Sequence, residues 1–380
     1  MAQPSSSILD AKALTLLTAL QENPVGSYQE LADRVGRTRQ TVSNLLGRLK
    51  QNNLFTDVRA NLNLHPLGLN VVDVMAEVPL RFVRMVETFL DLHPYTLYRS
   101  RAFGRVSGLY VQFRIPPPAL PHLRKSLESL KDLGLLSSYE LIDDWSLHAS
   151  TKPRLDFWNP ETMSWGYNWG TFTQTPISDA SSSAFEESGD QGWLLADLDS
   201  TDAFILYHLT KDARSKQKHL IEGLKQFNGT DLSPQRLSER WHFLSSNAVS
   251  DYDVFLDWQA TGLYNTVLFK VNCTKEVSSW FYANLVNPAI TPPFSTRFRS
   301  LDDGFLFYTR CPPSHLSLVT DLLWDKTERI EATLLDYKSS MSYYFDYSSL
   351  DEQGWKTSED HVHLSPFGVV ERMVQEQKSF

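Results

Sequence analysis

The most constraining feature of this 380-residue sequence is a pattern of elements that occurs twice. In each half, helical segments precede an order of strand, helix, strand, strand, helix and strand. Residue types also coincide between the halves at one constant separation, as internal repeats require. The coinciding pairs are Tyr98 and Phe294, Arg101 and Arg297, Gly108 and Gly304, Arg114 and Arg310, Pro116-Pro117 and Pro312-Pro313, and Leu120 and Leu316. The sequence therefore predicts an internal duplication.

The repeated order also predicts the fold class, because β-α-β-β-α-β is the order of a ferredoxin-like domain. We predict an α+β chain in which two winged helix-turn-helix modules alternate with two ferredoxin-like domains. The predicted domains are a winged helix-turn-helix at 1–60, a ferredoxin-like effector or pairing domain at 61–147, a Trp-rich connector and flexible linker at 148–196, a second, divergent winged helix at 197–260, a second ferredoxin-like domain at 261–340, and a C-terminal tail with a helix at 341–380.

Composition narrows the class of protein. Hydrophobic residues make up 42% of the chain, which is enough to build cores. The two cysteines, Cys273 and Cys311, rule out a disulfide framework and a CxxC zinc pair, so free thiols in a reducing compartment are expected. No apolar run reaches the roughly 20 residues that span a bilayer, and Met1–Ser7 lacks the order of a signal peptide. We predict a cytoplasmic protein with no membrane partner, no cofactor and no metal.

Charge is distributed unevenly along the chain. The net charge of −9 argues against non-specific coating of nucleic acid, which depends on broad neutralisation of phosphates. The span 34–56 nevertheless carries five basic residues and no acidic one. A local basic excess in an acidic chain points to a localised contact with an anionic partner.

This basic span falls on a helix-turn-helix pattern. Ser27 and Glu30 have the spacing of a capping box at the start of a short helix, which ends near Gly36. Thr38 is a suitable N-cap for the next helix. The inward positions of that helix are Val42, Leu45, Leu46 and Leu49.

The outward positions of the second helix are of the types that bind double-stranded DNA. Arginine pairs with guanine, and glutamine and asparagine pair with adenine, whereas Arg37, Thr38 and Thr41 suit phosphates. The predicted DNA contacts are Arg37, Thr38, Arg39, Gln40, Thr41, Ser43, Asn44, Arg48 and Lys50. The alternative is a winged helix that contacts other proteins and exposes a solvated polar face.

The second module is a weaker candidate for DNA binding. Its third helix begins at Ser233-Pro234 and offers Gln235, Arg236 and Arg240 as a second set of DNA contacts. Glu239 lies among them and would face phosphates. A divergent winged helix with a purely structural role explains this module as well.

The N-terminal half resembles the Lrp/AsnC (feast/famine) regulators of archaea and bacteria. The motif that carries the resemblance is the stretch Ser27–Gly36, with Thr38–Leu49 as its second helix. The resemblance extends over residues 8–147 and more loosely over 200–340. It implies a transcriptional regulator whose ferredoxin-like domains pair sheet to sheet, with a small-molecule effector at that pairing. Because two such domains lie in one polypeptide, the usual dimer could form within the chain, and a homodimer of the chain is the alternative assembly. The candidate effector residues are Arg101, Gly104, Gly108, Arg297 and Gly304.

The same architecture is also similar to that of the siroheme decarboxylases, which are enzymes. That resemblance implies that His93-Pro94-Tyr95, Arg99 and Arg101 meet tetrapyrrole carboxylates. The alternative is that His93 caps a helix end and the arginines lie on an exposed strand face. We predict the regulator and not the enzyme, with a protein-interaction scaffold as a third reading. His361 and His363, in the polar tail, are expected to be solvated.

Overall fold

The structure is a computed structural model that describes residues 9–143, 148–173 and 191–378. The predicted flexible linker, Ser178–Gly192, lies outside these residues except for its last two positions. The helices are α1 (Ala11–Glu22), α2 (Tyr28–Arg34), α3 (Arg39–Gln51), α4 (Val83–Leu92), α5 (Leu120–Asp132), α6 (Trp169–Phe172), α7 (Ser200–Asp212), α8 (Gln217–Asn228), α9 (Pro234–Asn247), α10 (Lys275–Val286), α11 (Pro313–Lys326) and α12 (Ser365–Lys378).

The α+β fold class is confirmed. The strands are β1 (Phe55–Leu62), β2 (Asn70–Glu77), β3 (Thr96–Gly104), β4 (Gly108–Ile115), β5 (Ser138–Ile142), β6 (His148–Thr151), β7 (Trp158–Asn159), β8 (Ser164–Trp165), β9 (Val249–Leu256), β10 (Asn265–Asn272), β11 (Ser295–Leu301), β12 (Gly304–Cys311), β13 (Arg329–Leu335), β14 (Met341–Ser342), β15 (Leu350–Asp351) and β16 (Gly354–Trp355).

The chain divides into two compact units, and each is built from three separate segments. The first unit contains the chain up to Val58, the connector, and Tyr252–Tyr337. The second unit contains Arg59–Asp143, the second helical module up to Asp251, and the C-terminal tail from Lys338. Each unit therefore combines segments that the sequence analysis assigns to different domains.

The first unit contains an antiparallel sheet in the order β13-β10-β12-β11-β6. Its core is aromatic: Phe281 of α10 packs against Phe305 and Phe307 with ring centroids 4.8 and 4.9 Å apart. All three side chains are buried. Buried aromatic rings contribute large apolar areas, so this cluster holds the helix on the sheet.

The Trp-rich connector packs within the first unit. Trp158, Trp165 and Trp169 are all buried. The indole N–H of Trp165 donates to the Thr261 carbonyl at 2.7 Å, and that of Trp169 donates to Nδ1 of His315 at 3.1 Å. Because buried indole groups need such partners, the connector is anchored by hydrogen bonds as well as by apolar contact.

The second unit contains an antiparallel sheet in the order β5-β2-β4-β3, with β14 paired to β3. Phe89 of α4 and Phe113 of β4 are fully buried on its helix-covered face. Asp73 is also buried, and it accepts hydrogen bonds from the Tyr110 hydroxyl at 2.6 Å and the Gln112 amide at 2.8 Å. This carboxylate is therefore satisfied by its neighbours on the sheet.

The glycines that begin the third strand of each sheet have a structural role. Gly108 has a φ of +157°, and a Cβ there would lie 2.3 Å from the Ala76 carbonyl oxygen. Gly304 has a φ of +149°, and a Cβ there would lie 1.9 Å from the Val271 carbonyl oxygen. Close approach of the backbones requires glycine at both positions.

A buried histidine makes the second unit sensitive to acid. Burial, and to a smaller extent the positive charge of His361, lowers the pKa of His93 to about 3. The unfolded side chain takes up a proton near pH 6.5, whereas the folded one does not. Stability is therefore fully present above that pH and is lost as the pH falls towards the folded value, by roughly 1.4 kcal/mol per pH unit.

We expect urea midpoints to fall between pH 7.5 and pH 5, and the replacement His93→Asn to flatten this dependence. Asparagine keeps an acceptor for the Tyr95 N–H, which bonds to His93 Nδ1 at 3.2 Å. The exposed His219 provides the control, because His219→Asn leaves the buried site intact. A wild-type midpoint that does not change over this range would contradict the assignment.

Candidate nucleic-acid interface

The N-terminal helices form a tight module within the first unit. The Asp10 side chain accepts the Ala13 N–H at 2.7 Å and caps α1. Ser27 and Glu30 form the predicted capping box: the Glu30 N–H donates to the Ser27 hydroxyl at 3.2 Å, and the Ser27 N–H donates to Glu30 Oε2 at 2.6 Å. Leu17 of α1 is fully buried. Local capping and apolar burial together define where these helices begin and how they pack.

A short turn joins α2 to α3. Gly36 has a φ of +63°, a left-handed conformation that glycine adopts without strain. The Arg37 N–H donates to the Ala32 carbonyl at 2.9 Å and closes the turn. Thr38 then caps α3 by accepting the Thr41 N–H at 3.2 Å. The predicted start of the second helix is confirmed.

The two faces of α3 differ in burial. Val42, Leu46 and Leu49 are buried, as predicted, whereas Leu45 is only half-buried. Ser43 is also half-buried. The exposed members of the predicted contact set are Arg37, Thr38, Arg39, Gln40, Thr41, Asn44, Arg48 and Lys50. The predicted contacts therefore share one accessible surface, which we call the α3 face.

The α3 face is cationic. Arg37 and Arg39 form no side-chain hydrogen bond or ion pair with the residues that the structure describes. Arg48 lies 3.6 Å from a carboxylate oxygen of Asp10, an exposed pair of little energetic weight. The Gln40 amide donates to Asn44 Oδ1 at 2.8 Å, so these two side chains are held side by side. The face offers two uncommitted guanidinium groups beside two amides.

The strand that follows α3 is tied to a distant part of the same unit. The Asp257 N–H donates to the Leu54 carbonyl at 3.1 Å, and the Thr56 hydroxyl donates to the Phe255 carbonyl at 3.1 Å. This strand, β1, begins at the end of the segment 1–60 that is predicted to be a winged helix-turn-helix, where the wing is expected. Its bonds hold the end of α3 against the rest of the unit.

The second helical module uses its charged residues differently. Arg240 donates to both carboxylate oxygens of the buried Asp202, at 2.8 and 2.5 Å, and to the Asp197 carbonyl at 3.0 Å. The Gln235 amide donates to Glu239 at 3.1 Å. Arg236 is exposed and forms no side-chain bond with the described residues. Two members of the second predicted contact set are thus engaged within the module.

The candidate effector residues are not gathered into one site within either unit. In the second unit, both Arg101 and the buried Arg99 bind the carboxylate of Glu87, and Arg99 also binds Asp91 at 2.7 Å. Gly104 and Gly108 end β3 and begin β4. In the first unit, the Arg297 guanidinium carbon lies 5.3 Å from the Tyr308 ring centroid.

The prediction that Arg99 lies on an exposed strand face is wrong, because the side chain is buried in an ion-pair network. His93 does end a helix, and its N–H donates to the Phe89 carbonyl at 2.9 Å. The Tyr95 hydroxyl donates to the Lys356 carbonyl at 2.8 Å. Of the residues named for a tetrapyrrole, Tyr95, Arg99 and Arg101 therefore have side-chain partners within the protein, whereas Nε2 of His93 has none among the described residues.

The C-terminal tail covers part of the second unit. His363 is buried and shares a hydrogen bond with Ser126 at 3.1 Å, and His361 shares one with Ser349 at 3.0 Å. The expectation that these histidines are solvated is wrong, because the segment packs against α5. Sequence reasoning also missed Arg114, which the tail covers. The only available signal was its place on the same strand face as Tyr110 and Gln112.

Residues 9–56 match the winged helix-turn-helix DNA-binding domain family. They form a winged helix-turn-helix domain. No curated protein matches the chain in a sequence comparison. AsnC of E. coli is 19% identical over 35% of this chain and 89% of its own, with a TM-score of 0.31. The resemblance to that family and the tandem duplication both remain predictions.

Two solved structures share the fold over nearly the whole chain. The siroheme decarboxylase NirDL covers 95% of this chain and 98% of its own, at 10% identity and a TM-score of 0.57. Its co-complex with an iron-uroporphyrin III analogue covers 96% and 99%, at 11% identity and a TM-score of 0.55. The prediction that the chain is not an enzyme is contradicted, because an enzyme has this fold over its full length.

Among the residues that the structure describes, no helix has the length and apolar character needed to cross a membrane. Within the same residues, histidine, cysteine, aspartate and glutamate side chains do not gather in threes around a point that a metal ion would occupy. Cys273 and Cys311 are free thiols, as predicted.

Proposed function

We propose that this chain is a sequence-specific DNA-binding regulator that reads the major groove with α3. The observation that carries the proposal is the exposure of Arg37, Arg39, Gln40 and Asn44 on one face that contains no acidic residue. A helix of this kind presents its N-terminal residues to base edges. The first turn of α3 holds Arg39, Gln40 and Thr41 at that end.

The residues of the α3 face divide by the groups they suit. Arg39 fits guanine in a bidentate manner, and the paired amides of Gln40 and Asn44 fit adenine. Arg37, Thr38 and Thr41 lie at the turn, where phosphates pass the start of a recognition helix. We therefore assign base reading to the first group and positioning to the second.

The ferredoxin-like domains would serve assembly and ligand sensing in this proposal. A homodimer would place two heads about one helical turn apart, or a multiple of it. The bound site would then be a pseudo-palindrome, because the symmetry of the site follows that of the protein.

The test is selection of bound duplexes from a random library, followed by affinity measurements over a range of salt concentrations. We expect an enriched sequence and an affinity that falls steeply with salt, as counterion release requires. If no genomic DNA fragment were shifted by the protein in a gel-shift assay at low salt, the proposal would be rejected. That result would favour a scaffold that uses its winged helices for protein contacts.

A second candidate function is carried by the fold over the full chain. We propose, as the alternative, binding and decarboxylation of a tetrapyrrole related to the iron-uroporphyrin III analogue seen with NirDL. Arg101 is the most accessible of the residues named for such a ligand, since 39% of its side chain is exposed. It would have to exchange Glu87 for a ligand carboxylate.

An absorbance titration with iron-uroporphyrin III tests this alternative. Binding is expected to shift the Soret band, and Arg101→Ala is expected to weaken the binding by about 10-fold, because a charged hydrogen bond is lost. Arg236→Ala, an exposed arginine on α9, is the matched control. A Soret band that stays unchanged on addition of protein would exclude the alternative.

A further inference from the structure

Arg114 lies near the end of β4 in the second unit and is almost entirely buried, with 8% of its surface exposed. Its N–H donates to the Tyr95 carbonyl at 2.8 Å. Strand alternation places its side chain on the sheet face opposite to Phe113. There the ring of Phe345 covers it, with the guanidinium carbon 5.4 Å from the ring centroid.

Among the described residues, the guanidinium of Arg114 has no hydrogen-bond acceptor and forms no ion pair. The nearby carboxylate of Asp346 already accepts the Ser348 N–H at 2.9 Å and the Ser349 hydroxyl at 3.1 Å. Burial lowers the pKa of Arg114 to about 10, which leaves the group charged at neutral pH. The negative charge of Asp346 acts on the guanidinium only through space, since no ion pair joins the two side chains. A buried charge without such a pair is unfavourable.

Two other arginines among the described residues, the buried Arg99 and the half-buried Arg310, have protein partners. Arg99 binds Glu87 and Asp91. Arg310 holds the corresponding position on β12, where it donates to the Tyr308 hydroxyl at 3.0 Å and to Thr266 at 3.3 Å. The contrast shows that this strand position can be satisfied by the protein, and that Arg114 is not.

The unpaired guanidinium remains within reach of small molecules. Among the described residues, five have a buried side-chain nitrogen or oxygen atom that forms no hydrogen bond. They are His93, Ser245, Asn265, Asn284 and Thr309. Arg114 is not among them, and 8% of its surface stays exposed. Phe345, which covers the guanidinium, packs against Trp355 with ring centroids 5.4 Å apart, and the two rings form an apolar cluster.

We propose that Arg114 binds the carboxylate of a small organic monoacid beneath Phe345. The planar guanidinium presents parallel N–H donors that match the two oxygens of a carboxylate. A single positive charge balances a single negative one, and the neighbouring Asp346 disfavours a dianion such as phosphate. The apolar cluster suits the hydrocarbon part of the acid. This inference does not depend on either proposed function.

The experiment measures the melting temperature of the full chain with sodium acetate, sodium benzoate or sodium phosphate, at constant ionic strength made up with chloride. We expect the two carboxylates to raise the melting temperature in a saturable manner, because a ligand of the folded state stabilises it. Phosphate is expected to raise it less than either carboxylate. Calorimetric titration with benzoate then gives the dissociation constant.

Two variants assign the effect to Arg114. Arg114→Met removes the unpaired charge, so it should raise the ligand-free melting temperature by about 2–4 °C and abolish the response to carboxylates. Arg114→Lys keeps the positive charge but loses the parallel N–H donors that match both carboxylate oxygens, and it should weaken benzoate binding by about 10-fold. The lysine variant carries the test if the methionine variant does not fold.

Arg310→Met is the matched control, because Arg310 has protein partners at the corresponding position. It should lower the melting temperature and retain the carboxylate response. Three results would overturn the proposal: no response of the wild type to either carboxylate, a response to phosphate alone, or an unchanged benzoate dissociation constant in Arg114→Lys and Arg114→Met.

Discussion

Replacing Arg39 with alanine is expected to lower the ratio of specific to non-specific DNA affinity by about 5- to 150-fold, equivalent to about 1–3 kcal/mol. Arg39 begins α3, is exposed, and has no side-chain partner among the described residues. It is therefore available to a base edge without breaking any bond inside the protein. Fluorescence anisotropy with the selected duplex and a scrambled duplex measures the ratio.

Arg37→Ala separates positioning from reading. Arg37 precedes the N-cap Thr38, where a side chain meets phosphates rather than bases. Its loss should weaken binding to both duplexes by similar factors and reduce the salt slope by about one. Lys275→Ala, an exposed lysine of α10, removes the same charge elsewhere in the first unit and is the control. If Arg39→Ala and Arg37→Ala both bound every duplex as the wild type does, α3 would not be the reading helix.

The helix-turn-helix could be predicted from the sequence because its determinants are local. The capping box joins Ser27 to Glu30 and the N-cap joins Thr38 to Thr41, so each contact links residues only three positions apart. The inward face of α3 follows from helical periodicity. Leu45 marks the limit of that argument, since it was predicted to point inward and is only half-buried, whereas the adjacent Leu46 is buried.

The engagement of charged side chains could not be predicted, because their partners are distant in sequence. Arg240 appears among candidate DNA contacts until Asp202, thirty-eight residues earlier, is found to bind it. Arg99 was expected on an exposed strand face, but in the structure it forms ion pairs with Glu87 and Asp91 of α4. A charged residue type indicates an anionic partner, but only the fold determines whether that partner is inside the protein.

The contact between Phe345 and Arg114 could also not be predicted from the sequence pattern. Phe345 lies in a segment whose polar composition predicted a solvated tail, and its N–H donates to Thr210 of α7 at 3.2 Å. Segments far apart in the chain thus build the second unit together. Local periodicity finds strands and helices, whereas contacts between remote segments depend on packing that no short window contains.

The second large effect concerns Asp202, whose replacement by alanine is expected to lower the free energy of unfolding of the second unit by roughly 2–4 kcal/mol. Asp202 is buried and completes a capping box with Asp199 at the start of α7. Its bonds to Arg240 raise the pKa of that guanidinium above its usual range. Arg240 is about one third exposed and can rehydrate, so the loss falls below that of a fully buried pair.

Urea unfolding monitored at several wavelengths measures this loss, because the two units need not unfold together. Arg240→Ala should lower stability in the same direction and leave the affinity for the selected duplex unchanged, since its guanidinium is engaged within the module. Arg236→Ala, one turn earlier on α9 and exposed, should change stability by less than about 0.5 kcal/mol. Reduced DNA affinity in Arg240→Ala, measured where the variant is fully folded, would instead make the second module a DNA reader. An Asp202→Ala variant as stable as the wild type would show that the ion pair does not hold α7 to α9.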